Sequence, residues 1–158
     1  MSAEPAAARA QVHLLSPGDP RTGAALDVMA ALRDHIDRDE LEARYRTACA
    51  EGYQLAALFV GGTCVAVAGF RISTNLHLGR NCYVDDLVTA SSRRSQGHGR
   101  VLHQWLVDHA TAAGCTTLHL DSNTQRKRAH RFYLLERHEI VALHFSRSLS
   151  PGGVTPTI

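Results

Sequence analysis

Between Arg93 and Arg100 the chain reads RRSQGHGR: two glycines one residue apart, Gly97 and Gly99, beside three arginines, Arg93, Arg94 and Arg100. If a strand feeds this segment and a helix follows it, the first-turn amides have no intrahelical carbonyl to bond and gather at the positive end of the helix dipole. That is a pocket for an anion. Side chains at positions 97 and 99 would obstruct close approach, and the arginines add charge suited to a diphosphate. Ser95, Gln96 and His98 fill the remaining positions of the pocket. The plainer alternative is that the glycines only shape a turn and the arginines are solvated. The segment lacks the GK[ST] ending of a P-loop, and GHGRVL lacks the third glycine of the dinucleotide fingerprint, so ATP and NAD both fit poorly.

The elements around this loop follow from periodicity. Val12 and Leu14 alternate with polar neighbours in Gln11 to Ser16, as in a half-buried strand. Leu26, Met29, Ala30 and Arg33 recur at helical spacing, and Leu41, Tyr45, Ala48 and Cys49 do so again before Gly52. YQLAALFV and TCVAVAGFRI flank Gly61-Gly62, a pair that tolerates the positive φ of a tight hairpin turn. A polar loop from Ser73 to Arg80 leads to a central strand, Asn81 to Thr89. After the glycines, Val101, Leu102, Trp105, Leu106, His109 and Ala113 make one apolar stripe, ended by Gly114 at a left-handed cap. CTTLHLD (115–121) reads as a strand, QRKRAHRFYLLER (125–137) as a helix and EIVALHFSRSL (139–149) as a last strand. Residues 1–10 and 150–158 are expected to be flexible ends of one domain spanning 11–149.

Composition narrows the partners. A chain of 158 residues, 44% of them hydrophobic, suffices for one packed domain. With a net charge of +2, one Trp and four Phe it has no basic aromatic face for single-stranded nucleic acid. Cys49, Cys64, Cys82 and Cys115 show no CxxC spacing, so neither a zinc knuckle nor a disulfide framework is expected. His98, His103 and His109 lack the i, i+4 spacing of a helical metal pair, and no metal is expected. Nothing reads as a signal or membrane-spanning segment, which points to a cytoplasmic protein. The sequence leaves room for a homodimer.

Arg94-x-x-Gly97-x-Gly99, placed between a strand and a helix, resembles the R/Q-x-x-G-x-G/A acetyl-CoA signature of the GNAT acetyltransferase superfamily. The element order from Gln11 to Leu149 is similar to that family's, and AHRFY supplies its FY pair as Phe132 and Tyr133. The resemblance implies an α/β fold with a mixed, mostly antiparallel sheet, flanked by helices and splayed between its central strands. It implies acetyl-CoA as co-substrate and direct attack by a primary amine, with no covalent enzyme intermediate. A small-molecule acceptor is favoured over a protein lysine or N-terminus, and a non-catalytic acyl-CoA-binding module is the rival reading.

An amine attacks only when unprotonated, so a group must take its proton. Where this chain has Asp85 and Asp86, the resemblance implies acidic residues that bind the amine or steer its proton, directly or through water, and as strand neighbours the two should face opposite ways, so that Asp85 or Asp86 meets the substrate. Tyr133 is the implied proton donor to the leaving thiolate, and the backbone of Leu87, Val88 and Thr89 is implied to pair with pantetheine amides. Asp121 either recognises substrate or caps the next helix, and His130 either assists a proton or sits on a helix surface. Two departures stand out. Arg126 occupies the place of the usual Asn that helps hold coenzyme A, and Arg137-His138 replace a glycine and an aromatic after the FY helix. Arg126 is assigned a ligand role; Lys127 and Arg128 are left to solvent.

Overall fold

A computed structural model describes residues 9–155, so residues 1–8 and 156–158 of the two expected flexible ends lie outside the described residues. The chain packs as two compact units, one running to His119 and the other beginning at Leu120.

The sheet, which but for Leu120 belongs to the first unit, has the order β1 (Ala10–Leu15), β2 (Tyr53–Val60), β3 (Thr63–Asn75), β4 (Gly79–Thr89), β5 (Thr117–Leu120). The first four strands pair antiparallel in sequence order. The Gly61-Gly62 turn has φ of 57° and 80°, the left-handed pair that matches the twist of a tight hairpin. The polar loop expected from Ser73 to Arg80 is mostly strand: Ser73 pairs with Asn81, Thr74 with Arg80 and Asn75 with Gly79, leaving a three-residue tip. β5 lies beside β4, and its contacts advance in step with it, Thr116 N–H to the Arg80 carbonyl at 3.0 Å and His119 to Asn81 at 3.0 Å. The two strands are therefore parallel, and the sheet is mixed, as expected.

Helices α1 (Thr22–Ala30) and α2 (Arg38–Ala50) bury Ala25, Leu26, Met29, Leu41 and Tyr45 against Leu55, Ala57, Phe59 and Val67 of the sheet. Asp37 caps α2 by accepting the Glu40 amide at 2.9 Å. Arg33, expected on the first helix, lies beyond its end. The helix after the glycine loop, α3 (His98–Ala112), buries Leu102, His103, Leu106 and Ala110. The expected stripe is rotated, since Val101 is 46% exposed and His103 replaces it inside. Trp105 meets Phe70 of β3 edge to face, with centroids 6.2 Å apart. Gly114, at φ 80°, ends α3 as foreseen, with Cys115 N–H bonded to the Ala110 carbonyl.

In the second unit, α4 (Lys127–Leu135) forms where the FY motif predicts it. Its end closes without glycine: Arg137 itself takes φ 67°, and His138 N–H reaches back to the Tyr133 carbonyl at 2.9 Å. A Cβ at such a φ carries a steric cost, so Arg137→Gly is expected to stabilise the protein by about 0.5–1 kcal/mol in urea denaturation. A lower midpoint would show that the arginine side chain contributes more than the strain costs.

The last expected strand is not formed. Residues 139–149 belong to no ladder, and Ile140, Val141, Leu143, Phe145 and Leu149 are 79–91% exposed. Their β propensity reflects packing on a pleated surface, and it makes a strand only where a partner supplies the ladder.

Candidate active site

Along β4 and β3, Gly69 pairs with Asp86 but Phe70 pairs with Val84, which leaves Asp85 as the extra residue of a β-bulge. The strict alternation expected of Asp85 and Asp86 therefore fails, because an inserted residue breaks the period of two. Both carboxylates enter one connected charge cluster. Arg33 donates to Asp86 Oδ1 from Nε at 2.9 Å and from Nη2 at 2.5 Å, and Nη2 also reaches the Asp85 carbonyl at 3.2 Å. The Tyr53 hydroxyl donates to Asp86 Oδ2 at 2.7 Å. Asp86 thus has both oxygens engaged and is buried.

Asp85 is held differently. Its Oδ2 lies 3.3 Å from Arg71 Nε as an ion pair, yet that oxygen is buried without a hydrogen bond. Burial pushes its carboxyl above the usual aspartate range; the Arg71 cation opposes that rise and the Asp86 charge adds to it. Arg71 is itself anchored, with Nη1 on the Glu51 carbonyl at 3.2 Å and Cζ 5.6 Å from the Tyr53 ring centroid. Tyr53 passes directly over Gly69, where a Cβ would overlap its hydroxyl. Burial, reinforced by the Asp86 charge, holds the Tyr53 phenol well above its ordinary value, so it stays a donor.

Two residues after the bulge the strand runs through Leu87, Val88 and Thr89, which pair with Ala68, Val67 and Ala66 of β3. The contacts of β5 noted above fall on the other half of β4, at Arg80 and Asn81, with Tyr83 facing His119 at 5.1 Å. After a single turn at Ser91–Arg93, Ser95 takes φ 63° and Gly97 φ 81°, and α3 begins. Its first backbone bond runs from Val101 N–H to the Gly97 carbonyl. No side chain caps this helix and no acidic residue lies in its first turn. Arg94, Ser95, Gln96, Gly97 and Arg100 are exposed around that end, with Arg93, His98 and Gly99 half-buried. Cations oppose a helix N-terminus, and a bound anion would relieve that opposition.

In the second unit, the half-buried Tyr133 packs edge to face with Phe132 at 5.5 Å and His138 at 5.6 Å. Burial raises its phenol pKa, and the positive charge of Arg126 acts in the opposite sense. Arg126 is exposed at the N-terminal boundary of α4. Asp121 does not cap that helix; its Oδ2 lies 3.2 Å from His144 Nδ1. His130 Nε2 lies 2.8 Å from the Asn123 carbonyl, which requires that nitrogen to donate and ties the loop to the helix.

The acetyltransferase (GNAT) family model matches residues 25–137, from the first helix to the turn after Tyr133. The chain belongs to the GNAT acetyltransferase family. It is therefore an acetyl-CoA-dependent acyltransferase, as the glycine loop implied. It is 36% identical over 108 residues to the uncharacterized N-acetyltransferase YhdJ of Bacillus subtilis, covering 67% of this chain and 75% of that one. Among solved structures, its fold is similar to that of the aminoglycoside N-acetyltransferase AAC(6')-Iy in complex with CoA, with a TM-score of 0.77 at 13% identity over 94% of this chain and 100% of that one. It is also similar to glucosamine-6-phosphate N-acetyltransferase from Arabidopsis thaliana, with a TM-score of 0.70 at 18% identity over 90% and 99% of the two chains.

Within this GNAT domain, sequence reasoning named Asp85 and Asp86 but missed Arg33, Tyr53, Arg71 and Gly69, which surround them. One signal was available. A glycine inside the apolar run TCVAVAGFRI marks a bulge or a close approach, and Gly69 marks both.

Proposed function

We propose that the protein acetylates a primary amine of a small molecule, with Asp85 taking the amine's proton, directly or through water, and Tyr133 protonating the leaving thiolate. The observation that carries this reading is the bulge at Asp85, a half-buried carboxyl whose Oδ2 has Arg71 3.3 Å away as its ion-pair partner and whose pKa is raised, four residues before the end of the strand that leads to the glycine loop. A carboxylate whose pKa is raised is a better proton acceptor than an ordinary one. The amine nitrogen attacks the thioester carbonyl, the C–N bond forms, the C–S bond breaks, and the sulfur takes the proton from Tyr133. Burial keeps that phenol protonated until the thiolate develops.

The amides and arginines from Arg93 to Arg100 would hold the diphosphate of acetyl-CoA, the backbone of Leu87, Val88 and Thr89 its pantetheine, and Arg126 a further polar contact. Cys64 and Cys82, pushed up to about 11 and about 12 by burial, are thiols at neutral pH and poor candidates for an acyl carrier, which favours direct attack. A small acceptor is supported by the activities named for the aminoglycoside and glucosamine-6-phosphate enzymes of the same fold. All four cysteines are unpaired, which fits a reducing, cytoplasmic setting, and no described helix is long and apolar enough to cross a membrane.

The test is CoA release from acetyl-CoA with a panel of small amines, comparing wild type with Tyr133→Phe. The variant should lose about 10²- to 10⁴-fold in kcat with KM for acetyl-CoA little changed. Binding of acetyl-CoA without transfer to any amine, peptide amines included, would instead favour the non-catalytic module.

A further inference from the structure

We infer that Arg33 is a positioning residue for the transfer: by bridging the Asp86 carboxylate and the Asp85 carbonyl across the bulge, it fixes the backbone that presents Asp85 to the amine. The inference rests on the proposed role of Asp85. A β-bulge leaves its extra residue without a ladder partner, so something else must hold that residue's backbone. Here the Asp85 carbonyl is held by Arg33 Nη2 at 3.2 Å, from the same guanidinium that grips Asp86 Oδ1. Asp86 is fixed in turn by the Tyr53 hydroxyl at 2.7 Å. The absence of a side chain on Gly69 lets that hydroxyl reach it.

The planar fork of arginine suits this task, because two of its nitrogens converge on one carboxylate oxygen while one of them also serves the carbonyl next door. Arg33 reaches the strand from the connection between α1 and α2, far away in sequence. We assign it a positioning role and no catalytic one, since its Nε and Nη2 donors engage the Asp86 carboxylate and the Asp85 carbonyl. The charged and titratable groups that face Asp85 are Arg33, Arg71 and Asp86, with Tyr53 and Cys82 within electrostatic reach. Among these Arg33 and Arg71 favour the ionised form of Asp85, whereas Asp86 disfavours it.

Arg33→Gln, Arg33→Lys and Tyr53→Phe in the full chain test the inference through the pH profile of kcat/KM for the amine, the KM for acetyl-CoA and the melting temperature. Arg33→Gln is expected to lose about 10²-fold in kcat/KM for the amine, the scale of a small misplacement of a reacting group, with the KM for acetyl-CoA unchanged. Its acid limb should move to higher pH, because a cation that favours ionised Asp85 is gone. Arg33→Lys keeps the charge and should return the limb to its wild-type position while recovering only part of the rate, since an ammonium cannot reproduce the planar fork. Tyr53→Phe should lower the rate less and leave the limb in place.

A folded Arg33→Gln variant with wild-type rate and an unmoved limb overturns the inference. Should that variant not fold, a wild-type rate in folded Arg33→Lys overturns it equally. Asp85→Asn separates this failure from that of the underlying reading: full activity there removes Asp85 as the proton acceptor, whatever Arg33 does.

Discussion

Asp85→Asn is expected to bind acetyl-CoA normally and to lose about 10²- to 10⁴-fold in kcat/KM for the amine, the range for removing a general base. The residual rate should climb towards high pH, where more of the amine is deprotonated without help. The same substitution should not destabilise the fold. Burial raises the Asp85 pKa above the ordinary 3.8, so the folded chain binds this proton more tightly than the unfolded one. Stability linked to this group is therefore full below the ordinary value and is lost as pH rises through the raised one. Asparagine abolishes that loss. The variant should melt at or above the wild-type temperature at neutral pH, with any advantage vanishing in acid.

Asp86→Asn should behave in the opposite way. It takes the charge from a buried carboxylate that Arg33 and Tyr53 both engage, and leaving Arg33 without its counter-charge costs about 3 kcal/mol on the scale of a broken buried pair. A titration of activity and melting temperature on both variants separates the two residues. If Asp85→Asn keeps wild-type acceptor kinetics across pH, the proton leaves by another route.

Gly99→Val should abolish the stabilisation that acetyl-CoA confers. At a hundred times its Kd, a ligand that binds only the native state adds about 2.7 kcal/mol, which for a chain of this size raises Tm by roughly 5–10 °C. Gly99 lies in the first turn of α3 and is not among the positive-φ glycines, so a side chain there meets no backbone strain and the variant should fold. Its side chain would then stand in the proposed path of the diphosphate. Gly97 is the poorer choice for this test, because its φ of 81° would strain any L side chain whether or not a ligand binds. Thermal melts of wild type and variant, with and without acetyl-CoA, decide it: an equal shift in both would place the diphosphate elsewhere.

What the sequence determined by itself was local. The Gly61-Gly62 turn, the Asp-bounded start of α2, the Gly114 cap and the glycine loop opening α3 are each set by a few neighbouring residues whose φ, capping or missing side chains allow one conformation. That loop and the Phe132-Tyr133 pair were enough to identify the family. Tertiary structure decided what depends on a distant partner. The bulge that distinguishes Asp85 from Asp86 exists only in the register of β4 against β3, and the cations beside it come from Arg33, in the connection between α1 and α2, and Arg71 on β3. The rotation of α3 that buries His103 in place of Val101 is likewise a matter of which face meets the sheet. Residues 139–149 show the same dependence from the other side: their alternating apolar pattern satisfies every local criterion for a strand, but a strand is a paired object, and composition carries no information about whether a ladder awaits it.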